Sequence, residues 1–333
     1  MTMPQMPEKI VVLGTGGTMA GTARCAADNV GYTAAQVGVA QLLDTVPGLS
    51  RVLAGRSLVS EQVAQIDSKD MGCAVWQQLA LRVTHHLAQA DVTGVVITHG
   101  TDTLEETAYF LHAVLPASQQ IGKPVVLTCA MRPASSTAPD GPQNLLDAVA
   151  VAMTPGACGV LAVCAGTVHG ALEVQKVHPY RLDAFNSGDA GPVGYVEEGV
   201  MRLVRNWPLA RVNSDDGAIE KIANAAAWPR VEIVMSYAGA SGAIVEALLA
   251  PRGAGMPEVA PVQGLVVAAT GNGTVHGELE AALIHAQERG VKVVRATRCT
   301  NGRVLPTPGN VLPDSQGLSP VKARVALMLA LLP

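Results

Sequence analysis

Short apolar runs alternate with longer segments of helical periodicity along the first two hundred residues. KIVVLG (9–14), GVVITHG (94–100), KPVVLTCA (123–130) and GVLAVCAG (159–166) are near-continuous in Val, Ile, Leu and Ala, and Gly, Pro or polar residues bound them. Such runs predict strands buried on both faces. Between them, Ala35 to Val46, Asp70 to Ala90, Asp102 to Leu115 and Gln143 to Met153 predict helices. Alternating strand and helix argues for a mostly parallel sheet flanked by helices, with its chemistry at the carboxyl ends of the strands. The pattern loosens over residues 207–229, which read as a linker between a domain over 1–206 and one over 230–333. A second set follows: VEIVMSY, GLVVAATG, a helix from Gly277 to Arg289, VKVVRATR, and a closing helix from Pro320 to Leu332. The expected fold is therefore α/β, with a larger N-terminal domain and a smaller C-terminal α/β domain that has its own parallel sheet.

Composition narrows the function. Of 333 residues 49% are hydrophobic and only 3% aromatic, so aliphatic side chains must build the cores. A net charge of −4 lacks the basic footprint that nucleic acid requires. No apolar run reaches the roughly 18 residues of a membrane span. The opening MTMPQMPEK has no apolar core after a basic stretch, so no secretory signal is expected. None of the six cysteines forms C-x-x-C, and no Cys/His spacing suits a structural zinc. A reducing, cytoplasmic setting is expected.

The glycine-rich stretch VVLGTGGTMAGT (11–22) ends the first strand. As a dinucleotide fingerprint it fails at Met19, where the third glycine belongs, and no Gly-Lys-Ser/Thr completes a Walker loop. It can instead present Thr15, Thr18 or Thr22 beside bare backbone. In VVITHGTDTLEETAYFL (95–111), Thr103 and Glu106 have capping-box spacing, and Asp102 and Glu105 suit a helix N-terminus. Capping leaves Thr101 unexplained: a hydroxyl beside a carboxylate at a strand's carboxyl end. Ser68 alone reads as an N-cap for the helix near Asp70. His85 and His86 read as ordinary helix residues, and His99 as structural.

GTGGTMAG together with THGTDTLEETAYFL resembles the two signature segments of the bacterial-type L-asparaginase family. GYTAAQVGVAQLL, IDSKDM, AMRPASSTAPDGPQNLLDAV, TVHGALEVQKVHPYRLDAFNS, GNGTVHGEL and SPVKARVALMLALL follow in the family's order, from about Lys9 to Leu332. The resemblance implies Thr18 as first catalytic threonine and Tyr32 as the loop tyrosine beside it. It implies Ser68 as holder of the substrate α-carboxylate, Thr101 with Asp102 as the Thr-Asp pair, and Lys176 as the lysine of a second triad. Asp102 would also bind the substrate ammonium. Lys69 and Thr274 occupy substrate-side positions, where family members commonly carry Gln or Glu and some members carry Asn, respectively. The carboxylate that supports the tyrosine in some members has no clear match in GRVLPTPGNVLPDS, and Asp314 is not nominated in its place.

The implied activity is hydrolysis of L-asparagine to L-aspartate and ammonia, without metal or organic cofactor, in a homotetramer built from intimate dimers. A threonine hydroxyl can carry an acyl-enzyme if a nearby base helps it, and Thr101 with Lys176 would be a threonine counterpart of Ser–Lys sites. Lys176 has to sit partly desolvated to take up a proton. Glycines at 16 and 17 would let amides approach a developing oxyanion. A broad glutaminase–asparaginase and a non-catalytic amino-acid-binding protein are the alternatives. Retention of all four of Thr18, Thr101, Asp102 and Lys176 argues against the second.

Overall fold

The computed structural model describes residues 8–208, 217–250 and 259–333. The chain divides into two compact units, Met1–Ala223 and Asn224–Pro333. Part of the expected linker, residues 209–216, lies outside the described residues. After it, Ala218–Asn224 is a helix whose Ile222 is buried.

Unit one contains β1 (Lys9–Gly16), β2 (Thr22–Ala23), β3 (Tyr32–Thr33), β4 (Ser57–Ile66), β5 (Val92–Thr98) and β6 (Val125–Thr128). These are followed by β7 (Val160–Cys164), β8 (Thr167–Gly170), β9 (Gln175–Lys176), β10 (Phe185–Asn186), β11 (Gly194–Glu197) and β12 (Val200–Leu203). Eight of them form one sheet in the order β12-β11-β8-β7-β6-β5-β1-β4. The five from β7 to β4 run parallel, and β8, β11 and β12 extend the sheet antiparallel. The mixed α/β architecture with a mostly parallel sheet is as expected. Ile10, Val12, Val96, Val126, Leu161 and Val163 pack in one cluster with Val39, Leu43, Leu145 and Val149 of the helices Val39–Asp44 and Gly141–Ala152. Helix Cys73–Leu87, which buries Trp76, Leu79, Ala80, Val83 and Leu87, lies against β4 and β5. Leu104–Val114 is a further helix of this unit.

Several predicted helices begin later than their periodicity suggests. The Ala35–Val46 segment is helical only over Val39–Asp44, because Ala35 takes a φ of 56° and Gly38 is extended. Asp70–Ala90 becomes a 3-10 turn at Ser68–Asp70 and a helix from Cys73, separated by an extended Gly72.

The chain moves from β1 to β4 on one side, then crosses to β5 on the other side of β1 and continues to β6 and β7. Loops leaving β1 and β5 thus part in opposite directions, which opens a crevice at their carboxyl ends. In unit two, β13 (Arg230–Met235), β14 (Val262–Ala269) and β15 (Lys292–Thr297) form a parallel sheet in that order. Val234, Leu265 and Val267 pack with Leu279 and Leu283 of helix Gly277–Glu288.

Candidate active site

The two glycine–threonine loops meet at that crevice. Gly17 has φ 83° and ψ −169°, a region essentially reserved for glycine. A Cβ built there would run into Gly100 Cα and N, and one built at Gly100 would run into Ser68 Oγ and Cβ. Glycine at both positions lets the β1, β4 and β5 loops lie backbone to backbone. The expectation for the Gly17 amide is corrected here: its N–H donates to Ile66 O at 2.9 Å, which removes it from any oxyanion role.

Thr18 begins the 3-10 turn Thr18–Ala20 and is buried. Its Oγ1 lies 2.6 Å from the Tyr32 hydroxyl. Tyr32 reaches it from the small β2–β3 hairpin, whose Ala23 N–H donates to Ser135 Oγ at 2.7 Å. Burial raises the Tyr32 phenol above its ordinary value, and the carboxylates of Asp67 and Asp102 push the same way, against the Thr18 hydrogen bond and Lys69. Tyr32 is therefore a neutral phenol at pH 7, suited to sharing a proton with Thr18 and unsuited to acting as a phenolate base.

The second cluster sits beside it. Lys176 Nζ, from β9, donates to Thr101 Oγ1 at 2.8 Å and pairs with Asp102 Oδ1 at 2.6 Å. Its side chain is 18% exposed, against 51% for Asp102, so the ammonium is held inward while the carboxylate reaches the open crevice. Thr101 and Asp102 are separated from Lys176 by more than seventy residues, and the β9–β10 pair closes that distance. Lys176 N also donates to Glu105 Oε1 at 3.3 Å.

Ser68 is the junction of the two clusters. Its Oγ accepts the Asp102 N–H at 3.2 Å, and its carbonyl accepts the Thr103 hydroxyl at 2.8 Å. Two expected caps are thereby corrected. Thr103 stands at the N-cap of Leu104–Val114 without making a side-chain cap bond, because its hydroxyl is engaged by Ser68. The cap of the 3-10 turn at Ser68 is Asp67, which accepts from Lys69 N. Lys69 itself is exposed, with Nζ 2.8 Å from Asp67 and 3.1 Å from Asp70. Hydrogen bonds to those carboxylates raise its ammonium above the ordinary lysine value.

Thr274, in unit two, forms an isolated bridge with Thr270, and their hydroxyls lie 2.8 Å apart. Sequence reasoning missed the clamp behind β6. Asp140 accepts the N–H groups of Met131 and Arg132, both at 2.9 Å, and buried Asn144 links Cys129 O to Ala165 N. The motif PDGPQN carried that signal, as an acid and an amide one turn apart at a helix start.

A threonine-bearing loop, a neutral phenol and a hydroxyl–ammonium–carboxylate cluster whose carboxylate is exposed together suit amide hydrolysis of a small zwitterion. The comparisons with known proteins agree. The family described as "Asparaginase, N-terminal" matches residues 9–209, and "Glutaminase/Asparaginase C-terminal domain" matches 230–332. The chain is 35% identical to L-asparaginase 2 of Bacillus subtilis, over 97% of this chain and 82% of that one. It is 36% identical to the glutaminase-asparaginase of Pseudomonas fluorescens, over 97% and 86%. A crystal structure of a probable cytoplasmic L-asparaginase from Campylobacter jejuni superposes with a TM-score of 0.86 at 34% identity, covering 97% of this chain and 95% of that one.

Proposed function

The chain belongs to the asparaginase family, and on that premise we propose that it hydrolyses L-asparagine to L-aspartate and ammonia through a Thr18 acyl-enzyme. Thr18 Oγ attacks the side-chain carbonyl while its proton is relayed through the Tyr32 hydroxyl, which takes it up along their 2.6 Å hydrogen bond and releases its own towards the amide nitrogen, so that the phenol stays neutral. The Lys176 ammonium delivers a second proton through Thr101 to the leaving amine as the C–N bond breaks, and the amine departs as ammonium. Lys176, now neutral, takes a proton from the water that attacks the Thr18 ester, which releases L-aspartate and restores both hydroxyls. Ser68 and Asp102 hold the α-carboxylate and the α-ammonium, and Thr101 contributes to the same end. No metal or organic cofactor enters these steps.

The observation that carries this reading is the pairing of two threonine hydroxyls with separate proton partners at one crevice. It is tested by ammonia release from L-asparagine by the purified full-length chain. Thr18→Ala should lose about 10³-fold or more in kcat while remaining folded, on the scale of other nucleophile deletions. Near-normal turnover by that variant removes Thr18 from the role.

Glutamine carries one extra rotor and methylene, which pockets distinguish by about 10- to 200-fold. A strong preference for asparagine is therefore part of the proposal, and comparable specificity constants would contradict it. The assembly is a homotetramer of intimate dimers in which Thr274 serves a neighbouring subunit's site. Exposed Met235 and Tyr237 at the end of edge strand β13 support a covered surface there. Light scattering that finds a fully active monomer contradicts the assembly. Among the described residues no helix is long and apolar enough to cross a membrane. All six cysteines stand as thiols, which supports a cytoplasmic location, and cell fractionation tests it.

A further inference from the structure

We infer that Trp76, Thr107 and His99 form a one-way hydrogen-bond chain that positions Thr101 for the reaction; the inference rests on the role of Thr101 proposed above. Trp76 Nε1 lies 2.9 Å from Thr107 Oγ1, Thr107 Oγ1 lies 2.9 Å from His99 Nε2, and His99 Nδ1 lies 2.7 Å from Gly100 O. All three side chains are buried, His99 and Thr107 completely. The indole N–H can only donate, so the Thr107 oxygen accepts from it. The Gly100 carbonyl can only accept, so the neutral imidazole carries its proton on Nδ1 and its Nε2 accepts from the Thr107 hydroxyl. A donor-only group at one end and an acceptor-only group at the other thus fix every proton along the chain.

The end of the chain matters because of what the Gly100 carbonyl belongs to. It is part of the Gly100–Thr101 peptide plane, so holding its direction holds the Thr101 N–Cα bond. On the other side of Thr101, the Asp102 N–H is pinned to Ser68 Oγ at 3.2 Å. Thr101 is clamped by its preceding and following peptides, and its Oγ1 meets Lys176 Nζ at 2.8 Å. The start of the chain is equally fixed, since Trp76 stacks on Phe110 at 5.1 Å between centroids and 13° between planes. Burial drives the His99 imidazole down to about 4, so it stays neutral through the working range and the directional order persists. No acid–base role is available to such a group. Its contribution is geometric, and errors of about 1 Å in such placement cost up to about 10²-fold.

The test uses the full-length enzyme and reads both the tautomer and the kinetics. Nitrogen-15 NMR of histidine-labelled protein should show His99 as the Nδ1–H tautomer, unchanged between pH 8 and about 5. His99→Leu should lower kcat about tenfold with KM within about twofold, because Ser68 and Asp102, which hold the α end, are untouched. His99→Asn, whose amide can donate where Nδ1–H does, should recover kcat to within about threefold of wild type. Should His99→Leu fail to fold, Thr107→Val against Thr107→Ser makes the same comparison, since serine keeps the hydroxyl that valine removes. An Nε2–H tautomer in the wild type overturns the inference. So does a folded His99→Leu or Thr107→Val with unchanged kcat, provided Thr101→Ala is inactive. If Thr101→Ala itself turns over normally, the role of Thr101 fails first and the positioning inference falls with it, whatever the tautomer.

Discussion

Gly17→Ala isolates what the close approach of the two threonine loops contributes. The native φ of 83° and ψ of −169° lie where an alanine costs about 1–3 kcal/mol. The new Cβ would also overlap Gly100 Cα and N and stand 2.9 Å from the His99 carbonyl carbon. Carbon atoms at rest sit about 3.5–4 Å apart, so the loops must separate by about 1 Å. That displacement acts on Thr18, the next residue, and on Thr101, one residue beyond Gly100. A shift of this size costs about 10²-fold in kcat where reacting groups must align. The assay is ammonia release under saturating asparagine, alongside circular dichroism and a urea midpoint. Gly48→Ala is the control: its φ of 80° imposes strain, but nothing lies within 4 Å of its added Cβ. It should lose stability and keep kcat. If Gly17→Ala retains more than half of wild-type kcat while folded, loop contact does not set the position of Thr18.

Lys176→Met keeps the stem length and removes the ammonium that bridges Thr101 Oγ1 and Asp102 Oδ1; kcat should fall by about 10²–10⁴-fold with the fold intact, and a loss below tenfold would exclude Lys176 from proton transfer. Lys69→Gln leaves Asp67 and Asp70 without their shared cation, and the glutamine-to-asparagine ratio of specificity constants should rise, by less than about tenfold because the pair is exposed and screened; an unchanged ratio clears Lys69 of any part in selectivity. Glu61 is held below its ordinary 4.5, first by hydrogen bonds from Arg82. A lowered carboxylate stabilises the fold above its unfolded value and loses that contribution as pH falls through the folded one. Glu61→Gln should therefore flatten the fall of the urea midpoint below about pH 4.5 relative to wild type, and parallel curves would show the Glu61–Arg82 pair to be without effect.

Strands buried on both faces were legible because a single physical demand, exclusion from water, writes a continuous apolar run. β1, β5, β6 and β7 all follow it. β4 does not: SLVSEQVAQI alternates because the strand lies at the sheet edge with one side partly exposed, and no expectation assigned it. The antiparallel extension through β8, β11 and β12 was likewise unread, since short strands of mixed burial carry little period. Helix starts near the site failed for a different reason. Thr103 and Ser68 have capping chemistry, and local rules assigned their oxygens to the nearest amides. Tertiary contact offered each a partner across the crevice, and the caps were left unmade.

The same competition decides what can be read of a site. Thr101 and Asp102 announce themselves by adjacency, and Thr18 by the glycines before it, but nothing local ties Lys176 to a residue 75 positions earlier in the chain. Only resemblance could join them before the fold was known. Lys69 shows the converse: its place beside Ser68 suggested a cation facing substrate, and in the fold Asp67 and Asp70, two and one residues away, lie within reach of its ammonium. His99 is the sharpest case. Taken alone, a histidine at a strand end has two tautomers and two possible charges, so its type says nothing about its task. The Gly100 carbonyl, which can only accept, draws the proton to Nδ1, and Thr107 and Trp76, 8 residues after and 23 before it, complete the order by donating to Nε2 and to the Thr107 oxygen. The information is in the direction of the bonds, and direction exists only once helix, helix and strand have packed.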